Sequence, residues 1–196
     1  MKPIRREEIR DLPGYERIRP DLRKRIIALR RERCIAAGDR ISVVFENRET
    51  VLYQIQEKLR AERIVEDGAI QHELDTYNEL LPKPQALAGT LFVELAASER
   101  IREELEEFIG LDRGEHVWFE VHETDRTVGR FAGGQGEEGR TSSVHYVQFP
   151  FTRDGARAFR DLALPAAFVV ENPNYRVRVP IEGAIRRALA EDFSDL

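Results

Sequence analysis

The sequence predicts an α+β fold in which a helix-rich first half, residues 1–84, precedes a strand-rich second half, residues 85–196. Apolar residues recur with helical spacing through most of the first half, whereas β-branched and alternating runs dominate the second half. The strands and helices do not alternate regularly, as they would in a doubly wound parallel sheet. We therefore expect a helical hairpin packed on a mixed, mainly antiparallel sheet, within a single domain spanning residues 1–196.

The first segment is expected to form two helices. A short helix over residues 5–12 would break at Pro13 and Gly14, and a longer helix would start after Pro20 and end at Gly38. One stripe of this second helix is apolar and consists of Leu22, Ile26 and Leu29. The rest of its circumference is left to basic side chains.

A strand over residues 40–46 and two further helices are expected to follow. Asn47 is a suitable N-cap for a helix that runs to about residue 64, and residues 66–68 form the turn into a helix over residues 68–81. The second of these helices has one narrow apolar stripe, composed of Ile70, Leu74, Tyr77 and Leu81. Pro82 and Pro84 end it. The two helices should therefore form the hairpin.

The remaining chain is expected to be mainly β. Predicted strands cover residues 90–95, 116–122, 126–131, 142–149, 167–171 and 175–179. Predicted helices follow a cap at Ser98 and cover residues 152–162 and 181–193. The last two strands should form a hairpin around residues 172–174.

Composition limits the class of protein. With 41% hydrophobic and 34% charged residues the chain is typical of a globular protein. Because it has neither an apolar run of membrane-spanning length nor an apolar leader, we expect a cytoplasmic protein without a membrane segment. The single cysteine, Cys34, excludes an internal disulfide and a thiolate-rich metal site, and its simplest interpretation is a small buried hydrophobe.

Charge is distributed unevenly along the chain. Residues 1–33 hold 12 Lys and Arg against 6 Asp and Glu, although the whole chain has a net charge of −5. A basic arm of this kind can bind the acidic remainder of its own chain, an acidic partner protein or nucleic acid. Because Tyr15 is its only aromatic residue, base stacking would be poor, which argues against nucleic acid.

The predicted hairpin carries an unusual set of polar side chains. Between Gly68 and Leu81 there is no Lys or Arg, and helix-stabilising surface residues are replaced by hydrogen-bonding ones. We expect the ligand or partner contacts to be Glu46, Asn47, Arg48, Gln54, Glu57, His72, Asp75 and Asn78. An anionic ligand at the strand end would meet Arg48 and the backbone amides of a helix N-terminus.

The same hairpin offers a candidate metal site. At 100° per residue, His72, Asp75 and Glu79 lie within about 60° of one another on the side opposite the apolar stripe. With Glu57 from the preceding helix they form a ligand set suited to a divalent metal such as iron, manganese or zinc. The alternatives are a solvated polar face with a second packing interface, and a polar pocket for a small ligand or partner.

Several segments together resemble a known bacterial family. They are FENRETVLYQIQEKLRAERI, AIQHELDTYNELLP, TLFVELA and VHYVQFPF, with the opening KPIRREEIRDLPGYERIR. The family that they resemble is a domain of unknown function, typically encoded beside rubrerythrin and an iron–sulfur oxidoreductase of the heterodisulfide-reductase type. The resemblance implies a redox or peroxide-defence context and assigns no catalytic residues.

These observations support three hypotheses. The first is a non-catalytic accessory or binding protein of a cytoplasmic redox or peroxide-defence system, with rubrerythrin or the iron–sulfur oxidoreductase as its partner. The second is a metal-dependent enzyme using His72, Asp75, and Glu57 or Glu79. The third is nucleic-acid binding through residues 17–33. The sequence leaves open the reaction, the metal and the oligomeric state.

Overall fold

Six α-helices and nine strands are formed by the residues that the computed structural model describes, namely 1–95, 101–122, 125–132 and 142–193. The helices are α1 (Leu12–Glu32), α2 (Arg48–Glu62), α3 (Asp67–Asn78), α4 (Ile101–Glu106), α5 (Arg153–Arg160) and α6 (Gly183–Ala190). The strands are β1 (Cys34–Ala37), β2 (Ile41–Glu46), β3 (Ala86–Val93), β4 (Val117–Val121), β5 (Asp125–Val128), β6 (Arg130–Phe131), β7 (Val144–Pro150), β8 (Ala166–Asn172) and β9 (Tyr175–Pro180). Short 3₁₀ helices cover Arg6–Glu8 and Glu191–Phe193. The predicted α+β class is confirmed.

The strands form two sheets, where the sequence analysis expected one. The first has the order β1-β2-β3-β7-β6 and the second the order β5-β4-β8-β9, and neighbouring strands run antiparallel throughout the described residues. The main core contains side chains from both sheets. Phe119 has aromatic neighbours from both sheets, with ring centroids 4.9 Å from Phe149 and 5.2 Å from Phe168. Such contacts join the sheets through their inner faces.

Register places a row of side chains on the outer face of the first sheet. Glu46 of β2 pairs with Ala88 of β3, which pairs with Gln148 of β7, and Gln148 pairs with Arg130 of β6. Strand residues alternate between faces, and the neighbouring Phe45, Leu87, Val147 and Phe149 belong to the inner core. The row therefore lies on the opposite face, toward the hairpin.

Helices α2 and α3 form the predicted hairpin around a second, smaller core. Its buried members are Ile4, Ile9, Val51, Ile55, Leu59, Ile70, Leu74 and Leu81. Tyr77 packs against this cluster while remaining partly exposed. The apolar stripe predicted for α3 is thus buried, and the N-terminal segment closes the cluster through two isoleucines.

Helix α1 differs from the prediction because neither proline breaks it. Pro13 lies in the first turn, where a proline does not remove an intrahelical hydrogen bond, and Asp11 Oδ1 accepts a hydrogen bond from the Gly14 amide at 2.9 Å. Pro20 lies inside the helix. The helix ends at Glu32 rather than at Gly38, whose φ of +74° belongs to the turn between β1 and β2.

The observed strands also differ from the prediction in two places. β1 was not predicted, and the expected strand over residues 126–131 is divided at Gly129 into β5 of one sheet and β6 of the other. A Cβ at Gly129 would lie 2.8 Å from Val147 Cγ2 and 2.9 Å from Phe149 Cε1, so the crossing requires glycine. The expected cap at Ser98 lies outside the described residues.

Arg33 joins helix α1 to the sheet and to the C-terminal helices. Its guanidinium is buried and donates to the carbonyl oxygens of Phe45, Glu46 and Ala188 at 3.0, 3.1 and 2.8 Å, and it pairs with Asp192. Buried charges require such partners. This contact fixes the end of β2, where Glu46 lies.

No helix among the described residues is both long enough and apolar enough to cross a membrane.

Candidate functional site

A cleft of about 570 Å³ lies between the helical hairpin and the outer face of the first sheet. One wall comes from α2 and α3, and the other comes from the end of β2, from the middle of β3 and β7, and from Ala132 directly after β6. Its lining residues are Glu46, Gln54, Lys58, His72, Glu73, Thr76, Tyr77, Glu79, Leu80, Ala88, Gly89, Ala132, Tyr146, Val147 and Gln148. A volume of this size is typical of sites for small ligands.

Small residues of β3 leave room for the cleft. Ala88 faces the hairpin, and Gly89 beside it has no side chain. A Cβ at Gly89 would lie 2.9 Å from the carbonyl oxygen of Val44, so the tight pairing of β2 with β3 excludes a larger residue there. A large residue at Ala88 would reduce the space beneath the helices, whereas Gly89 faces the inner core with Phe45 and Val147.

The buried carboxylate of Glu46 is the central polar group of the cleft. Its side chain is 6% exposed, and Oε2 accepts hydrogen bonds from Thr50 Oγ1 at 2.5 Å and from Gln54 Nε2 at 2.8 Å. Both of these bonds end on Oε2. No group in the described part of the chain donates to the other oxygen, Oε1, so this is the acceptor that Glu46 can offer to a bound molecule.

The start of helix α2 explains why Glu46 is held in this way. Asn47 caps the helix by accepting from the Thr50 amide at 2.9 Å, and Thr50 Oγ1 accepts from the Asn47 amide at 2.9 Å. This capping box fixes the Thr50 hydroxyl beside the carboxylate. Thr50 and Gln54 are four residues apart on one side of the helix, and this side meets Glu46 at the end of β2.

Aromatic and acidic groups surround the buried carboxylate. Tyr77 and Tyr146 line the cleft from the helix and the sheet, and burial raises the pKa of Tyr77. Glu73 and Glu79 add two acidic side chains. Lys58 is a basic residue of the lining, and its ammonium pairs with Glu62. The cleft thus combines aromatic walls with an excess of negative charge.

Some of the predicted contact residues line the cleft, and the others lie outside it. Glu46, Gln54 and His72 line the cleft, as does Glu79 from the proposed metal set. His72 is exposed, whereas Glu46 is buried. The structure therefore brings together three of the eight predicted contact residues in one cavity.

Two further predicted residues hold the start of α2 and the N-terminal segment. Asn47 is the N-cap described above. Arg48 donates to both carboxylate oxygens of Glu8 at 2.6 Å and to the carbonyl oxygens of Lys2 and Pro3 at 3.0 and 3.3 Å. These contacts occupy the Arg48 guanidinium, which we expected to meet an anionic ligand, and the Asn47 side chain occupies the Thr50 amide.

Glu57 and Asn78 also contact the N-terminal segment. Glu57 accepts from Tyr15 at 2.8 Å and from two guanidinium nitrogens of Arg19 at 2.7 and 3.0 Å. Asn78 accepts from the Ile4 amide at 2.8 Å and donates to the Ile4 carbonyl at 3.0 Å. Much of the hairpin's unusual polarity therefore fastens the first twenty residues to it.

The four candidate metal ligands do not share one environment. His72 and Glu79 line the cleft, the exposed Asp75 accepts from Gln71 Nε2 at 2.8 Å, and Glu57 binds Tyr15 and Arg19. In the described part of the chain, no group of three or more His, Cys, Asp and Glu side chains is placed to hold a metal. The metal-dependent enzyme stays a prediction.

Several cations of the basic arm pair with acidic residues elsewhere in the chain. Arg6 pairs with Asp67, Arg19 with Glu57, Arg25 with Glu49 and Arg33 with Asp192. These pairs agree with the alternative in which the arm binds the acidic remainder of its own chain. Nucleic-acid binding through residues 17–33 is untested.

Sequence reasoning missed the part of the site that comes from the sheet. Tyr146 and Gln148 lie two residues apart on β7, and their alternation with Val147 and Phe149 could have indicated an outward-facing pair. Thr50 was also missed, although its spacing from Glu46 and Gln54 is visible in the sequence. No signal in the sequence places Ala88 opposite Glu46, because strand order decides that contact.

The fold and the cleft define an α+β protein with two antiparallel sheets and a ligand-sized site beside a helical hairpin. The chain belongs to the family described as "Protein of unknown function (DUF3501)", whose sequence profile matches residues 3–193. This match confirms the resemblance to a family of unknown function.

A similar solved structure has the same fold. It is the crystal structure of a novel protein of unknown function from Burkholderia pseudomallei K96243, at 1.90 Å resolution. The two chains superpose with a TM-score of 0.88 at 25% sequence identity, over 97% of this chain and 99% of the other. No curated protein matches this chain.

Proposed function

We propose that the protein is a non-catalytic accessory or binding protein and that the cleft between the hairpin and the first sheet is its binding site. The observation that carries the proposal is the buried Glu46, whose Oε2 is held by Thr50 and Gln54 while Oε1 accepts no hydrogen bond from residues 1–95, 101–122, 125–132 and 142–193. Sites for small ligands place a few polar groups in a largely apolar cavity. The carboxylate therefore supports recognition of a specific donor group.

The arrangement favours binding over catalysis. Nucleophilic and acid–base sites place a nucleophile in hydrogen-bond contact with a base. The Thr50 hydroxyl does contact the Glu46 carboxylate, but Thr50 is fully buried and its hydroxyl also accepts from the Asn47 amide. It therefore caps α2 and holds an acceptor in place rather than facing a substrate. His72 lies on the exposed side of the same cleft, where it can contact a bound partner.

The proposed biological context is a cytoplasmic redox or peroxide-defence system. Its support is the resemblance to a family typically encoded beside rubrerythrin and an iron–sulfur oxidoreductase. Either protein is therefore the proposed partner, and a segment of it would enter the cleft or control access to a molecule bound there.

Purified components test this proposal. Thr76 is exposed and lines the cleft, so Thr76→Trp should obstruct the mouth without disturbing the core. Gln71→Trp provides the matched control because Gln71 is exposed on the same helix outside the lining. We expect rubrerythrin or the iron–sulfur oxidoreductase of the same cell to bind the parent and Gln71→Trp in interferometry, and to bind Thr76→Trp at least about tenfold more weakly.

Two results would contradict the proposal. If neither purified protein binds the parent, the redox partnership is wrong. If Thr76→Trp and Gln71→Trp bind equally well, the cleft is not the contact surface. Thermal unfolding of both variants shows whether either substitution disturbs the fold.

A further inference from the structure

The hydrogen-bonding groups, the charges and the apolar walls of the cleft indicate the chemical class of its ligand. Resting on the proposed function of this cleft as a binding site, we infer that it takes a primary alkylammonium group with Glu46 Oε1 as the counter-ion. The group belongs to a free organic amine or to a lysine side chain of the partner.

Hydrogen-bond polarity is the first argument. Glu46 has no donor of its own when ionised, and the Gln54 amide uses its nitrogen to donate to Glu46 Oε2. Among the described residues, no group donates a hydrogen bond to Glu46 Oε1 or to Gln54 Oε1, and these two acceptors belong to neighbouring side chains of the same network. A ligand that satisfies both must bring at least two N–H or O–H donors, and a primary ammonium has three.

Charge is the second argument. Glu46, Glu73 and Glu79 line the cleft, and Lys58 is paired with Glu62, so a carboxylate or phosphate ligand would be repelled. A cation is attracted by the same field. The low exposure of Glu46 strengthens this attraction because a buried charge is screened less than one in water.

The walls of the cleft fit the remainder of an alkylammonium. Tyr77, Leu80 and Tyr146 supply apolar and aromatic surface. Aromatic faces attract organic cations, and the rings also cover methylene groups. The small side chain of Ala88, on the outer face of β3, leaves depth for a chain of several carbons beside the carboxylate.

Calorimetric titration with three six-carbon probes tests this inference on the full chain. The probes are n-hexylammonium, n-hexanol and n-hexanoate, which each contain six carbon atoms and differ in their polar end. We expect saturable binding of n-hexylammonium at one site, binding of n-hexanol that is about tenfold or more weaker, and no binding of n-hexanoate. Equal binding of the ammonium and the alcohol would overturn the inference.

Two variants tie the binding to Glu46. Glu46→Gln removes the charge at nearly constant shape and should weaken n-hexylammonium binding by about tenfold or more, whereas Glu73→Gln, at a half-buried position of the lining, should weaken it less. Gln148→Lys provides a second variant that leaves the Glu46 network unchanged. It places an ammonium on β7 in the same cross-strand row as Glu46, and this ammonium should exclude the probe. Undiminished binding by both Glu46→Gln and Gln148→Lys would refute the assignment.

Failure of this inference can be distinguished from failure of the proposed function. If n-hexylammonium does not bind but the purified partner binds the parent and not Thr76→Trp, the inference is wrong and the binding function stands. If acetylation of the partner's lysines abolishes the complex, the ammonium comes from the partner. If the acetylated partner still binds while n-hexylammonium also binds, the ammonium belongs to a free amine.

Discussion

Glu46 lies where strand β2 ends and helix α2 is about to begin, and this position explains both its burial and its hydrogen bonds. The strand buries the residue beside the core, and the first turns of α2 supply Thr50 and Gln54 as donors to one of its carboxylate oxygens. Glu57, further along the same helix, has a structural role. It is bound by Arg19 and Tyr15 of α1 and so joins two helices.

The contacts of Glu57 predict how the stability of the fold depends on pH. Hydrogen bonds from Arg19 and Tyr15 lower the pKa of Glu57 from 4.5 to about 2. Because the pKa is lower in the folded state than in the unfolded chain, this group stabilises the fold above pH 4.5 and loses its contribution as the pH falls toward 2. Glu57→Gln should therefore lower the melting temperature by about 2–6 °C at pH 7, and the difference from the parent should shrink steadily between pH 5 and pH 3.

Thermal unfolding monitored by circular dichroism at several pH values measures this difference. Glu62→Gln is the control, since Glu62 is exposed on the same helix and pairs with Lys58 on the surface. It should change the melting temperature by less than about 2 °C. A Glu57→Gln difference that stays constant from pH 7 to pH 3 would contradict the ionic origin of the effect.

Helix α1 shows where reasoning about a single element failed. We expected Pro13–Gly14 and Pro20 to interrupt it, but the first turn accepts Pro13 and the helix continues through Pro20. An interior proline removes one backbone hydrogen bond, here the bond that residue 20 would give to the carbonyl of Glu16. The contacts of Tyr15 and Arg19 in α1, and those of Arg33 directly after it, fix the helix on both sides of this defect.

This defect predicts that Pro20→Ala stabilises the protein. The alanine amide restores the missing hydrogen bond, and we expect the free energy of unfolding to rise by roughly 1–3 kcal/mol, less any entropy that proline removes from the unfolded chain. Pro13→Ala is the matched control, because Pro13 removes no bond, and its effect should stay within about 0.5 kcal/mol. Urea unfolding measures both. A loss of stability in Pro20→Ala would show that the helix is adapted to the proline.

The hairpin was predicted well because its signals are local. The N-cap at Asn47, the stripe of Ile70, Leu74 and Tyr77, and the turn before α3 all depend on residues close in sequence. The contacts that its polar side chains make were predicted less well. Glu57 and Asn78 carry the same kind of polarity as Gln54 and His72, yet they contact the N-terminal segment, and no local pattern distinguishes the two groups.

For the whole molecule, the limit of prediction was the pairing of distant strands. The α+β class follows from the order of helical and strand patterns, but the division into two sheets depends on contacts such as β2 with β3 and β3 with β7. These pairings place Ala88, Tyr146 and Gln148 opposite the hairpin. The side of the cleft formed by the sheet could therefore not be predicted from the sequence, although Glu46 and Gln54 were identified from it.

The cleft also depends on how the two cores are arranged. The main core holds the sheets together, and the smaller cluster around Leu74 and Val51 holds the hairpin. The cleft lies where these two units meet, with polar groups of α2 and α3 facing the outer side of the first sheet. A ligand in this position would contact both units and should stabilise the whole molecule against unfolding.

The most direct test of the central claim is a two-dimensional ¹H–¹⁵N NMR titration of the protein with the purified partner. The account predicts that the largest shift changes occur at the Gln54 side-chain amide and at the backbone amides of Gly89, Tyr146 and Gln148. Changes confined to the exposed basic residues of α1, such as Arg23 and Arg31, with the cleft signals unaltered, would contradict it.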